Sequence, residues 1–266
     1  MGGRDRKGAA SMKRIDLNAD MGESFGAWTM GDDAAMLGLV TTANVACGYH
    51  AGDPSVMHRT VTEAKVKGVA IGAHPGFHDL FGFGRRTIRG ESPDEIELQL
   101  IYQISALRGV AAAAGHPVTH VKAHGALANQ AAVDEALAAA LARAVLKVDP
   151  ELTLMVMPGM ATERAANAAG LKAAREIYAD RAYGDDFNLL PRKLPGAVLH
   201  EPAAAAERVL SMLETGAITS VGGRRLEARI DTVCVHGDNP AAVAMAGRLR
   251  RELEAAGWTL LPFAQA

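Results

Sequence analysis

Seven short apolar runs alternate with helical patterns along this chain, and that alternation restricts the fold more than any other feature. The runs are RIDLNAD (14–20), TTANVAC (41–47), VAIGAHP (69–75), VTHVKAHG (118–125), LTLMVMP (152–158), REIYADR (175–181) and TVCVHGD (232–238). Between them lie segments with helix start and stop signals: Asp53-Pro54 running to Gly68, Ser92-Pro93 with Glu95 running toward Gly115, and Asn239-Pro240 running to Gly257. A capping side chain, a proline in the first turn and a glycine past the last one mark such ends. VDEALAAALARAVLKV (133–148), EPAAAAERVLSMLETG (201–216) and a shorter TERAANAAG (162–170) complete the helices. Strand, crossover helix and strand in strict succession imply parallel strands, in either an open doubly wound sheet or a closed barrel.

The strand ends favour the barrel. Nearly every run finishes in a polar or ionisable group: Asp20, Cys47 followed by His50, His74, His124, Asp180, and His236 with Asp238. A barrel gathers the carboxyl ends of all its strands at one mouth, whereas an open sheet concentrates such groups at a switch point. DMGESFGAW, after the first run, is not the glycine-rich phosphate loop that an open nucleotide-binding sheet would show there. The expected fold is therefore α/β, an irregular (β/α)7-type barrel over residues 12–266. Residues 1–11, MGGRDRKGAAS, read as a polar, disordered leader, with Met12 a plausible natural start.

Composition removes several function classes. A formal charge of −2 on 266 residues, with no basic tract interleaved with aromatics, gives no footprint for nucleic acid. The longest apolar stretches fall well short of the roughly 20 residues of a membrane span. Two cysteines, Cys47 and Cys234, are too few for a disulfide framework, and no apolar signal segment opens the chain, so a cytoplasmic location is expected.

DLNADMGE (16–23) crowds Asp16, Asn18, Asp20 and Glu23 together. A calcium loop would need a glycine after its third ligand and a glutamate at its twelfth position, but Met21 and Ala27 stand there. Alternation instead makes a strand with Asp16, Asn18 and Asp20 on one face, Asp16 deep and Asp20 at the mouth. The same period aligns His120 and Lys122 with His124, Glu176 and Tyr178 with Asp180, and Cys234 and His236 with Asp238. A single strand-end His or Asp is more often a satisfied cap than a catalyst. Convergence of many at one mouth favours water activation and protonation of a leaving nitrogen. Asp20, His74 and His124 are also a candidate metal set, since a carboxylate with imidazoles suits zinc or a similar divalent ion. Cys47 beside His50 reads as a small buried hydrophobe rather than a nucleophile. In FGFGRR (81–86) the pair Arg85 and Arg86 either forks a carboxylate or is simply solvated. No GxxxxGK[ST] segment occurs, so any nucleotide site here is unorthodox or lies on a partner.

The stretches DLNADMGE, ANVACGYHAGDP, GAHPGF, FGRR, VKAHGALAN, YADRAY and VCVHGDNP, from about Asp16 to Pro240, together resemble the LamB/YcsF family, the A-component family of the bacterial ATP-dependent 5-oxoprolinase. The resemblance implies a barrel like the glycoside hydrolase/deacetylase fold. It implies opening of the 5-oxoproline lactam to L-glutamate with ATP hydrolysis, in a complex with B and C subunits, with ATP handled largely by those partners. Under it Asp20 or Asp180 acts as base, and His74, His124 or His236 as acid or oxyanion donor. Arg86 or Arg181 holds the substrate carboxylate, and Asn18, Glu23, Asn44, His50, Lys122 and Asp238 contribute to binding. Where the family pattern reads VKPHGALYN, this chain has Ala123 and Ala128, which bears on substrate detail. Two other functions compete: a stand-alone metal-dependent amide or N-acetyl hydrolase, and a non-catalytic scaffold.

Overall fold

A computed structural model describes residues 13–236 and 240–265. The leader (1–11) with Met12, Asp238, and the helix start at Asn239 all lie outside the described residues. Seven parallel strands close a barrel: β1 (Arg14–Met21), β2 (Thr42–Ala46), β3 (Ala70–His74), β4 (Val118–Val121), β5 (Thr153–Val156), β6 (Ala173–Tyr178) and, after a hairpin of β7 (Ala217–Thr219) and β8 (Arg225–Glu227), β9 (Thr232–Val235). Each of the seven runs expected from the sequence holds one of these strands. Closure runs through β9, which pairs with β6 on one side and with β1 on the other, Asp16 opposite Thr232 and Asn18 opposite Cys234. The barrel is irregular: β3 and β4 shift register between Ile71 and Gly72, and β4 meets β5 at only His120–Thr153 and Val121–Leu154. A short β10 (Thr259–Leu260) extends the sheet beside Arg14 and Ile15.

Helices α2 (Pro54–Lys67), α3 (Pro93–Ala114), α5 (Glu135–Val148), α6 (Ala161–Ala168), α7 (Pro202–Thr215) and α8 (Pro240–Ala255) cover the strands, with shorter α1 (Asp33–Met36) and α4 (Gly125–Ala131) near the mouth. The sequence signals place the long ones well. Asp53 caps α2 by accepting from the Ser55 and Val56 amides, and Ser92 and Glu95 form a reciprocal capping box on α3. The helix α4, the hairpin, β10 and a terminal 3₁₀ turn (Phe263–Gln265) carry no such signals, and α1, although Asp32 caps it by accepting from the Ala35 amide, is like them too short for a period to show. No described helix is long and apolar enough to cross a membrane.

Strand alternation divides two environments. Ile15, Leu17, Ala19 and Met21 point outward into the apolar layer under the helices, with Val45, Ile71, Val121, Leu154, Ile177 and Val233. The barrel interior is polar instead, filled by Asp16, Asn18, Thr42, Asn44, His120, Lys122, Glu176, Thr232 and Cys234, all buried. Buried polar groups persist only when paired, and here they form one chain. Thr41, Thr42 and Thr232 donate to Asp16, Asn18 donates to Thr232, and Asn44 donates to both Asn18 and Asp20. Asn44 Oδ1 also lies 2.8 Å from His120 Nε2. Gly72 makes room for that ring, because a Cβ there would sit 2.1 Å from His120 Nε2.

Candidate active site

At the carboxyl end of the strands a cavity of about 500 Å³ opens, within the size range of small-molecule sites. Asp20, Glu23, His74, Lys122, His124, Arg181 and His236 line it together. Strand ends thus deliver to one mouth most of the residues that the sequence singled out. Asp20 is the last interior residue of β1, His74 ends β3, and Lys122 and His124 follow β4. Backbone bonds from Lys122 N to Ala73 O and His124 N to Pro75 O continue the pairing past that strand. Gln103 of α3 clamps the backbone of Gly76 through both its amide N–H and its carbonyl, which steadies the turn after His74.

Asp20 is the hub. One carboxylate oxygen lies 2.9 Å from Lys122 Nζ and the other 3.3 Å from His74 Nε2, while Lys122 reaches 2.7 Å to Glu176. Burial alone would push the Asp20 carboxyl up, but His74 and Lys122 outweigh it and hold it well below the usual carboxylate range. The same partners act in reverse. Burial opposes charge on His74 and Lys122, yet Asp20 raises the imidazole above its ordinary value and the ammonium well above its own.

The tautomers follow from the partners, since a carbonyl only accepts and a guanidinium only donates. His74 Nδ1 faces the Lys122 carbonyl at 2.8 Å and so carries a hydrogen, which turns Nε2 toward Asp20. His124 Nε2 faces the Phe83 carbonyl at 2.9 Å, leaving its Nδ1 lone pair 3.1 Å from His74 Nε2. Burial first, then the neighbouring His50 and His74, hold His124 neutral, its pKa well below the ordinary histidine value. Arg192 donates to His236 Nε2 at 3.2 Å, so His236 Nδ1 carries the hydrogen that it gives to Asp180 at 2.8 Å. Asp180 thereby orients His236, and it is not among the residues that line the cavity.

Several expected residues lie elsewhere. Asn18 and Asn44 sit beneath the cavity in the interior hydrogen-bond chain. His50 is fully buried, stacked on His124 with ring centroids 3.7 Å apart. Arg86 does not reach the cavity: the carboxylate of buried Asp79 captures its guanidinium and pins the loop after β3. Its neighbour Arg85 lines the cavity instead, with Arg192, Lys193 and Asn188 from the long segment between β6 and α7. That segment has no periodicity, and nothing in its sequence marks Arg192 or Lys193 as facing the mouth. Of the expected metal set, His74 and His124 cluster with Glu23 and His50, while Asp20 groups with Cys234 and His236. Cys47 is the buried hydrophobe expected, its thiol pushed up to about 12 by burial. Ala128 lines both the cavity and a recess of about 20 Å³ behind Lys122 and Glu176, where a larger side chain would project.

This arrangement pairs a strongly acidic carboxylate with a cationic imidazole, a buried ammonium and a neutral imidazole, beneath a rim of Arg85, Arg181, Arg192 and Lys193. The rim suits an anionic substrate, and the floor suits proton transfer to and from it.

Several known proteins are similar to this chain. A chain from Rhodopseudomonas palustris (strain ATCC BAA-98 / CGA009), named as the A subunit of 5-oxoprolinase, is 57% identical over 251 residues, covering 94% of this chain and 99% of that one. The crystal structure of a lactam utilization protein from Thermus thermophilus superposes with a TM-score of 0.87 at 44% identity, covering 93% of this chain and 99% of that one. A T48 deacetylase structure, at a TM-score of 0.50 and 15% identity over 96% of this chain and 90% of that one, shares the fold alone. With the LamB/YcsF family profile matching residues 15–266 and relatives above half identity over nearly the whole chain, this protein belongs to the LamB/YcsF family.

Proposed function

We propose that this chain opens the lactam ring of 5-oxoproline to L-glutamate, as the A component of an ATP-dependent enzyme that also requires B and C subunits. The observation that carries the reading is Asp20 held between Lys122 and His74 at the floor of a cavity rimmed by arginines. A lactam is a weak electrophile because amide resonance stabilises it. Opening it requires an activated water, charge stabilisation at oxygen and a proton for the departing nitrogen. Asp20 is assigned as the group that takes the proton of water and the His74 imidazolium as the acid. Lys122 faces the developing oxyanion, and Arg181 or Arg85 faces the substrate carboxylate. The names of the relatives support the substrate class, and their designation as one component of a larger enzyme supports partners. ATP falls to those partners because the sequence has no phosphate loop.

The test is glutamate release by the reconstituted complex with ATP. Asp20→Asn and His124→Ala are each expected to lower the rate at least about a hundredfold, the scale of general acid-base groups. Full activity with both variants would leave the chain a scaffold and sink the assignment.

A further inference from the structure

His50 is 0% exposed, yet neither of its ring nitrogens has a hydrogen-bond partner among the described residues. Leaving such groups buried and unpaired is costly, and the surroundings show what they face. His50 Nε2 is 3.7 Å from Glu23 Oε1, Glu23 Oε1 is 3.7 Å from His124 Nδ1, and His124 Nδ1 is 3.1 Å from His74 Nε2. All four residues offer donor atoms within 4.8 Å of one another. Ligands bonded to zinc at its usual nitrogen and carboxylate distances stand roughly 3.4 Å apart at tetrahedral angles.

We propose that His50, His74, His124 and Glu23 bind one zinc-class divalent ion at the edge of the cavity. The two bonds from His74 Nδ1 to the Lys122 carbonyl and from His124 Nε2 to the Phe83 carbonyl leave the opposite nitrogens turned to one point. Support of that kind orients histidine ligands in metal sites. The rings of His50 and His124 are parallel, with an interplanar angle of 3°, so one must tilt before both lone pairs reach the same ion. His50 is the ring that tilts, because no hydrogen bond holds it. The entering ion displaces the proton from His74 Nε2 to solvent. Three imidazoles and one carboxylate select zinc or cobalt over magnesium and calcium, which take oxygen ligands. Zinc binding takes the His74 proton that the lactam reading uses as the acid, so the two describe different states of the chain, and the test reads binding rather than turnover.

The full chain, stripped with a chelator and titrated with zinc chloride or magnesium chloride alone, is expected to take up one zinc and no magnesium by calorimetry and elemental analysis. His50→Gln and Glu23→Gln are each expected to weaken zinc binding at least about tenfold, the lower end of what ligand-support mutations cost. Cys234→Ser is expected to leave it unchanged, and the cobalt-loaded chain is expected to show d–d bands without thiolate charge transfer. Circular dichroism accompanies each variant. If His50→Gln fails to fold, Glu23→Gln decides, because that side chain reaches the cavity and is 13% exposed. Three results would each overturn the proposal: no stoichiometric zinc in the folded wild-type chain, undiminished uptake by Glu23→Gln, or loss of binding in Cys234→Ser with a thiolate signature in the wild type.

Discussion

Asp16 and Asp20, four residues apart on one strand face, occupy opposite electrostatic situations. Asp16 is 1% exposed and meets only hydroxyls, those of Thr41, Thr42 and Thr232. Burial raises its carboxyl from 3.8 to about 6 although the three hydroxyls oppose that rise. A folded-state value above the unfolded one contributes stability that is complete below about 3.8 and is lost as pH rises through about 6. The difference corresponds to about 3 kcal/mol. The melting temperature of the wild type minus that of Asp16→Asn is therefore expected to fall between pH 4 and pH 6, and a flat difference would refute the assignment. Asp16→Ala, which strands the three hydroxyls, is expected to cost about 1–3 kcal/mol in denaturant midpoint. Asp20→Asn costs less, because Lys122 keeps Glu176 at 2.7 Å, while its turnover collapses. Lys122→Met leaves the buried Glu176 without the ammonium beside it and Asp20 with His74 alone, and is expected to cost about 3–5 kcal/mol.

Strands and helices were legible where a period or a cap had room to appear. Interior alternation in β1, β4 and β6 holds as the sequence implies, and the caps of α2 and α3 form at Asp53 and Ser92. Ser92→Ala removes the capping box from an exposed helix start and is expected to lower stability by about 1 kcal/mol in a denaturant titration without touching the cavity. Gly72→Ala tests the interior instead. Its new methyl meets the His120 ring, and since neighbouring strands leave that ring no way out, a loss of about 1–3 kcal/mol is expected. A neutral outcome for Gly72→Ala would mean that the register shift beside it is softer than the structure implies.

Seven strands closing through β1 and β9 bring together residues more than two hundred positions apart, such as Asp16 and Thr232. That closure concentrates the ionisable groups at one mouth, yet the described residues include no phosphate loop for ATP. The chain alone, with or without ATP, is accordingly expected to release no glutamate from 5-oxoproline, and addition of the partner subunits is expected to restore release. Release by the isolated chain at the rate of the complex would refute the division of labour.

The parallel strand order, the polar mouth and the inward face of Asp16, Asn18 and Asp20 all follow from local information: side-chain period, caps and where each run stops. Tertiary structure decided the partners. Arg86 and Arg85 are adjacent and chemically alike, but Asp79 takes the first and leaves the second at the cavity. Asp180 became the orienter of His236, and His50 came to lie against His74 and His124. Those choices depend on which side chain a distant loop brings within hydrogen-bond range, and periodicity carries no information about that distance.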